Sequence, residues 1–461
     1  MESVKVLSAL EVDGPADSRE VIWVKRGIWL YFWLLILEGA LRKWIVPQLS
    51  SALLVVRDPI VIFIYWKAYT IYPRPRKPTL IPFAVVSFAL IVLAGLQLMF
   101  DLTTAPIIVY GLRSYLLHLP LIIVIARTMD SEDAKKLGYW ILVVSIPLAM
   151  LMAVQYYSSP TSWINIGAGG GGEDGFEHLD LRGIHARPPG TFSSVSGIEC
   201  FVPCVVAYLL YAFAHPGVYP RLLVWGAAIS TITAIPLSIS RTVWFMTAAV
   251  IAWTVLAGLT SIEYSVRLVR IAAVLLIAVV LASQTPVFRD ALGTAVARWN
   301  SAGEGDTKDV IVLRVLDPFL EGFKAMDDQS FLGRGIGSGS NVASVLQTGR
   351  LGFGVAEWEW PRIMLECGPL GGLIFLGFRA GLCIYILLVT LRGLRSTSEL
   401  GCSLAAAFVP TLLTKTIEQP TNLGFMALGG GLCLAAASQH YRRRALRLTL
   451  SVDEESLRCE S

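Results

Sequence analysis

The strongest constraint in this chain is a succession of apolar segments, most of about 17 to 25 residues, separated by short polar or basic breaks. A bilayer's hydrocarbon core is about 30 Å thick, so about 20 apolar residues in a helix cross it. Lipid offers no partner for a bare backbone N–H or C=O, so a segment of this length is expected to be helical. About twelve such segments can be placed, near 27–46, 51–72, 79–100, 105–127, 137–156, 198–214, 220–238, 242–260, 266–284, 362–391, 401–417 and 421–439. The first two carry Glu38, Arg42, Arg57 and Asp58, and the eleventh is short. Composition agrees: of 461 residues, 55% are hydrophobic and 16% charged, where soluble domains run at about 45–50% and 25%. The expectation is an all-α polytopic membrane protein of about twelve transmembrane helices.

Cytoplasmic loops of membrane proteins carry an excess of Lys and Arg. With the N-terminus inside, the cytoplasmic exits hold Lys67, Arg74, Arg76 and Lys77, then Lys135 and Lys136, Arg221, Arg267 and Arg270, Arg392 and Arg395, and finally Arg442, Arg443, Arg444 and Arg447. The opposite short loops hold little beyond Arg42, Lys43, Arg241 and Lys415. An N-in, C-in arrangement follows: spans 1–5 in residues 1–156, an outer loop 157–197, spans 6–9 in 198–284, a large outer loop 285–361, spans 10–12 in 362–439 and a cytoplasmic tail 440–461. The net charge of +4 reflects this orientation and gives no reason to expect nucleic acid. The first 25 residues are polar and lack the apolar core of a cleavable signal, so the first span is expected to direct insertion. Six of the seven cysteines lie in apolar segments without paired spacing, which argues against a disulfide framework or a zinc site.

Two long segments therefore emerge on one face. The first contains "GAGGGGEDG", residues 167 to 175, too glycine-rich for regular structure and read as a connection or a lid. In the second, Val315, Leu316, Phe319, Leu320 and Phe323 recur at helical spacing, so this loop is expected to be partly helical. "GRGIGSG", residues 333 to 339, follows a helix rather than a strand and lacks the Lys-Ser/Thr of a phosphate-binding loop, which weighs against nucleotide binding. No internal repeat is visible, which disfavours a transporter of inverted halves.

Four clusters could carry chemistry. "RGIHARPPGTFSSVSGIECF", residues 182 to 201, sets Arg182, His185 and Arg187 before a Pro-Pro turn, with hydroxyls at Thr191, Ser193, Ser194 and Ser196. A guanidinium suits a phosphate through its forked donors, or simply anchors a helix end. Arg241 stands alone in "SISRT" between two spans. A charge within hydrocarbon costs about 2.5–3.5 kcal/mol on insertion scales, so it should face a cavity, a partner or the headgroups. "AEWEWPRIMLECGPLGG", residues 356 to 372, carries Glu357, Glu359, Arg362 and Glu366, of which the last three fall near one helical face and suggest an ion pair of Arg362 with Glu366 or with Glu359. The fourth cluster is intramembrane: Arg113 with His118, and adjacent Arg57 and Asp58, which could neutralise each other.

In order and spacing, "RPPGTFSS", "SRT", "RVLDPFLEGF…FLGRGIGSG" and "EWEWPRIMLECGPLGGLIFL" resemble the O-antigen ligase and polysaccharide polymerase family over roughly residues 180 to 390. The resemblance implies a glycosyltransferase of the bacterial inner membrane that takes a glycan from an undecaprenyl diphosphate carrier at the periplasmic face. The acceptor would be another glycan or lipid A-core, with no nucleotide sugar, no metal and no other cofactor. Membrane lipids and further polysaccharide-assembly proteins are the implied partners. Arg187 and Arg241 match the family's paired arginines and Glu366 its glutamate, while the family's histidine is replaced by Glu357. The candidate catalytic residues are therefore Glu357, Arg187 and Arg241. Arg113, His185, Arg314, Glu359, Arg362 and Glu366 are candidates for substrate binding, and His185 or Glu359 is an alternative proton acceptor. Outside this family, a transporter or flippase for a lipid-linked or anionic substrate, or a non-catalytic scaffold, would use the same charges as a path or as anchors.

Overall fold

The computed structural model describes residues 19–71, 80–167, 185–258, 280, 283–300, 317–326, 330–348, 356, 358–394 and 399–437, and all regular elements among them are helices. In chain order they are α1 (Arg19–Ala40), α2 (Asp58–Ile71), α3 (Ile81–Met99), α4 (Ala105–Leu112), α5 (Leu121–Thr128), α6 (Ser131–Tyr157), α7 (Val195–Ala214), α8 (Arg221–Leu237) and α9 (Arg241–Gly258). They continue with α10 (Pro286–Asn300), α11 (Asn341–Thr348), α12 (Glu359–Leu394), α13 (Glu399–Thr414) and α14 (Pro420–Ala437). Seven helical stretches are long and apolar enough to cross a membrane: Pro47–Ile71, Ile81–Met99, Ala105–Thr128, Ser131–Tyr157, Val195–Ala214, Glu359–Gly393 and Pro420–Ala437.

The count of about twelve spans is thus not reached among the described residues, for three separate reasons. Helices α8, α9 and α13 have only 16 to 18 residues, so each rises about 24 to 27 Å, short of the hydrocarbon thickness. Helix α1 starts earlier than its apolar run and takes in Arg19, Glu20, Lys25 and Arg26. The expected span at 266–284 lies outside the described residues apart from 280, 283 and 284. The expected helix in the second outer loop is present over 317–324, where Phe319 and Phe323 pack on the Trp360 ring with centroids 4.6 and 6.4 Å away. Val315 and Leu316 lie outside the described residues.

Helix α6 opens on a reciprocal cap: the Asp130 carboxylate accepts from the Asp133 N–H, and Asp133 accepts from the Asp130 N–H. At this end Lys25 pairs with Asp133, Lys67 with Glu20 and His215 with Glu399, while the Tyr219 hydroxyl donates to the Lys135 carbonyl. Because successive helices alternate in direction, the C-terminal ends of α1, α6, α8 and α13 meet the N-terminal ends of α2, α7, α9, α12 and α14 at the opposite end. There the buried cations among the described residues are Arg42, Lys43, Arg57, Arg362 and Arg379.

Of the seven candidate spans among the described residues, the last is one of the two most enclosed, with α7. Nearly every residue of α14 is buried, and its small side chains let neighbours approach closely. A Cβ at Gly429 would stand 2.0 Å from the Phe408 ring, and one at Gly424 2.0 Å from the Arg57 guanidinium. Hydropathy alone cannot show this, because a lipid-facing and a protein-facing apolar helix have the same solvent preference.

Candidate functional site

The end of the bundle where the C-termini of α1, α6, α8 and α13 lie is assembled from chain segments far apart in sequence. Residues 185–194 lie between α1 and α6: the Arg42 guanidinium donates to Ser193 Oγ at 3.0 Å, Lys43 Nζ to the Gly190 carbonyl at 3.1 Å, and Thr191 Oγ1 to the Ile36 carbonyl at 2.7 Å. Gln155 takes the Gly190 N–H on its Oε1 at 2.9 Å and reaches the Gly190 carbonyl with its Nε2. Gly190 has φ +60, a backbone state that L side chains rarely adopt. The turn after Pro188 and Pro189 is thereby fixed, and it sets Arg187 half-buried at its start. His185 lies flat on the Tyr156 ring, centroids 4.1 Å apart, with Nδ1 3.0 Å from the Tyr156 carbonyl.

Arg241 opens α9 directly after the three-residue link Ser238–Ser240, whose Ile239 has φ +47. Ser240 Oγ donates to Glu199 on α7, and the second oxygen of that carboxylate takes Lys415 Nζ, from the link between α13 and α14. The link before Arg241 and the link bearing Lys415 thus meet at Glu199, and Arg187 lies within electrostatic range of both Glu199 and Lys415. Burial alone would lower the Lys415 pKa; the Glu199 carboxylate beside it outweighs that effect and holds the ammonium above its ordinary value. The sequence pattern singled out neither Glu199 nor Lys415. Lys415 carried a signal, as one of few cations in the outer short loops, but its partner lies 216 residues away.

The glycine-rich turn docks on α12. Glu366 is fully buried, and its Oε2 accepts from the Tyr115 hydroxyl at 2.7 Å and the Gly337 N–H at 3.1 Å. Its Oε1 accepts from the Gly339 N–H and from Arg362, both at 2.8 Å. The turn's amides therefore already hold an anion, the protein's own carboxylate. Gln97 completes the joint, donating to the Leu332 and Glu366 carbonyls and accepting the Ile336 N–H at 2.8 Å. Helix α12 makes room by breaking at Gly368, φ +69, before Pro369.

Glu359 is likewise occupied. Its Oε2 takes the Arg362 Nε and Nη2 at 3.1 and 2.7 Å, and its Oε1 takes Arg379 and the Ile417 N–H at 3.1 Å. The pairing expected within 359–366 forms in both directions and extends to Arg379, so these three candidates form a buried, mutually neutralised lattice rather than an open anion site.

Gly337 is where this docking tolerates no side chain. Its φ is +87, and a Cβ would stand 2.5 Å from the Ile107 carbonyl oxygen and 2.8 Å from Gly111 Cα. Gly337→Ala is expected to destabilise by about 1–3 kcal/mol from the backbone conformation alone, with the backbone clash adding to it. Thermal unfolding in detergent, followed by tryptophan fluorescence, should show a clear fall in midpoint. An unchanged midpoint would mean the turn does not dock as described.

The intramembrane charges are partnered across helices, and Arg57 and Asp58 do not pair with each other. Arg57 Nε donates to Glu38 Oε2 at 2.9 Å, whereas Asp58 binds the Arg113 guanidinium, with Nη2 at 2.8 Å, and His118 Nε2 at 3.0 Å. Arg57 precedes α2 and Asp58 opens it, and each carries its charge to a different part of the bundle, Arg57 to α1 and Asp58 to Arg113 and His118. His118 Nδ1 lies 2.9 Å from the Tyr31 hydroxyl. Tyr110 lies within electrostatic reach of Arg113, Glu418, Arg42 and Asp58.

Arg187, Arg241, Arg113 and His185 thus lie at or near this end, and Glu359, Arg362 and Glu366 form its lattice. Glu357 and Arg314 lie outside the described residues, as does 168–175 of the glycine tract. Among the described residues no group of three or more His, Cys, Asp or Glu could hold a metal ion. No protein-family model matches the chain, and a search of curated proteins finds no match.

Proposed function

We propose that the protein is a membrane glycosyltransferase that polymerises or ligates surface polysaccharide from an undecaprenyl-diphosphate-linked glycan at the periplasmic face of a bacterial inner membrane. The observation that carries the reading is the convergence of the Arg241 and Lys415 links on Glu199, within electrostatic range of Arg187, at the opposite end of the helical bundle from Lys135 and Arg221. A lipid-borne diphosphate reaches such a site from within the membrane while a hydrophilic acceptor reaches it from water. The motif resemblance supplies the reaction class.

In this mechanism Arg187 and Arg241, assisted by Arg113, bind the diphosphate and stabilise the charge that grows on it. The acceptor oxygen attacks C1 of the donor sugar from the face opposite the carrier, and a carboxylate removes its proton. The C1–O bond to the diphosphate breaks, its electron pair leaves on the phosphate oxygen, and C1 is inverted. Glu357 is assigned the proton, since Glu359 and Glu366 are each held by several donors. Glu418, near Tyr110 and Arg362, is the second carboxylate to test.

Deletion of the gene in its host, with sizing of surface glycan and of lipid-linked intermediates, tests the reading. Accumulated single repeat units indicate a polymerase, and accumulated carrier-linked polymer indicates a ligase. Intermediates trapped on the cytoplasmic leaflet would replace this reading with a flippase. An unaltered glycan profile would remove the reading altogether.

A further inference from the structure

The pair Glu199–Lys415 asks for an explanation that helix packing does not provide. Glu199 lies in the first turns of α7, and Lys415 follows the last residue of α13. The side chains keep 13% and 12% exposure for Lys415 and Glu199 respectively, so the pair lines an edge rather than a sealed core. Arg187 lies within electrostatic range of both members, and Arg241 directly follows Ser240, which donates to the same carboxylate.

The link bearing Lys415 is also unusually well fixed. Arg379 Nη2 donates to the Lys415 carbonyl at 2.9 Å and to the Leu412 carbonyl at 2.6 Å. The Ile417 N–H donates to Glu359 at 3.1 Å, Asn422 Nδ2 donates to Thr416 Oγ1 at 3.2 Å, and Ser196 donates to Gln419. The buried Arg379–Glu359 pair therefore holds the backbone of this link in place, leaving the Lys415 side chain as the part that can change partner. Preorganised backbone carrying one long, charged side chain is how a ligand cation is best presented.

We propose that Lys415 is a further phosphate ligand of the donor site, and that the Glu199 carboxylate occupies it until the lipid-linked diphosphate arrives. This rests on the glycosyltransferase reading above and adds to it a further cation, beside Arg187, Arg241 and Arg113, and a built-in competitor. Glu199 presents two oxygens to donors from α13–α14 and from the α8–α9 link, as a phosphate group would. An arriving diphosphate, with more charge and more acceptor oxygens, takes Lys415, and Glu199 keeps Ser240.

The test is binding of undecaprenyl diphosphate to the purified full-length protein in neutral-lipid nanodiscs. Lys415→Met should weaken binding about ten-fold or more, the loss expected of one charge-assisted hydrogen bond. Glu199→Gln should strengthen it, because the competitor is weakened. That opposite sign is the decisive result, since a purely structural ion pair would make both variants bind worse. Should Lys415→Met fold poorly with Glu199 left unpaired, the double variant Glu199→Gln/Lys415→Met removes both charges and should fold and bind weakly. If Lys415→Met and the double variant both bind like wild type while Arg187→Ala binds poorly, the Lys415 proposal is overturned and the donor site stands. If Arg187→Ala also binds like wild type, the donor reading itself is lost. Equal competition by phosphatidylglycerol would identify an ordinary headgroup contact and overturn the proposal too.

Discussion

Glu359→Ala is expected to be the most damaging single substitution at the end of the bundle that carries the charged lattice. It would leave the Arg362 and Arg379 guanidiniums, 3% and 1% exposed, without their shared carboxylate, and would free the Ile417 N–H from its acceptor. Removing one partner of a buried pair costs about 3–5 kcal/mol, and here two cations lose one at once. Since native proteins are stable by only about 5–15 kcal/mol, little folded protein should accumulate in membranes. Fluorescence-detected size exclusion after detergent extraction measures this directly. A monodisperse peak at wild-type yield would show that the lattice is dispensable. Arg379→Met combined with Glu359→Gln should recover part of the loss, because removing both charges strands less than removing one.

Arg187→Ala and Arg241→Ala should instead leave membrane levels close to wild type and remove transfer. Each guanidinium is assigned to charge that develops on the departing diphosphate, and loss of one such donor costs about 2.7–4 kcal/mol, or about 10²–10³ in rate. Lysine at either position keeps the charge without the planar fork and should fall between arginine and alanine. The assay is glycan product length from a purified lipid-linked donor in proteoliposomes. Near-wild-type turnover by either alanine variant would exclude the assigned role. Glu357→Gln and Glu418→Gln in the same assay separate the two candidate proton acceptors, and the correct one should abolish product without weakening donor binding.

The sites differ in how far the sequence could reveal them. Arg362 with Glu359 and Glu366 was legible because residues three and four apart share a helical face whatever surrounds them. That Glu366 holds the turn at 333–339 was not, because Tyr115 lies 251 residues away and Gly337 lies 29 away across a loop. The adjacent Arg57 and Asp58 invited a local pairing, but each meets a partner brought in by another segment, Glu38 and Arg113. The glycine pattern of 333–339 was visible, but only its docking against Gly111 and the α12 break showed that its amides serve an internal carboxylate.

The sequence by itself determined that this is an all-helical membrane protein and which end of the helices collects the basic loops. Those properties follow from segment length, apolar content and charge bias, each summed over a local window. The tertiary structure alone decided which helices are long enough to cross, that the last span is among the most enclosed, and which charge each buried charge meets. Pairings such as Lys415 with Glu199 depend on helix order in space, on small residues that let backbones approach, and on the high cost of leaving a charge unpaired away from water. None of these has a local signature.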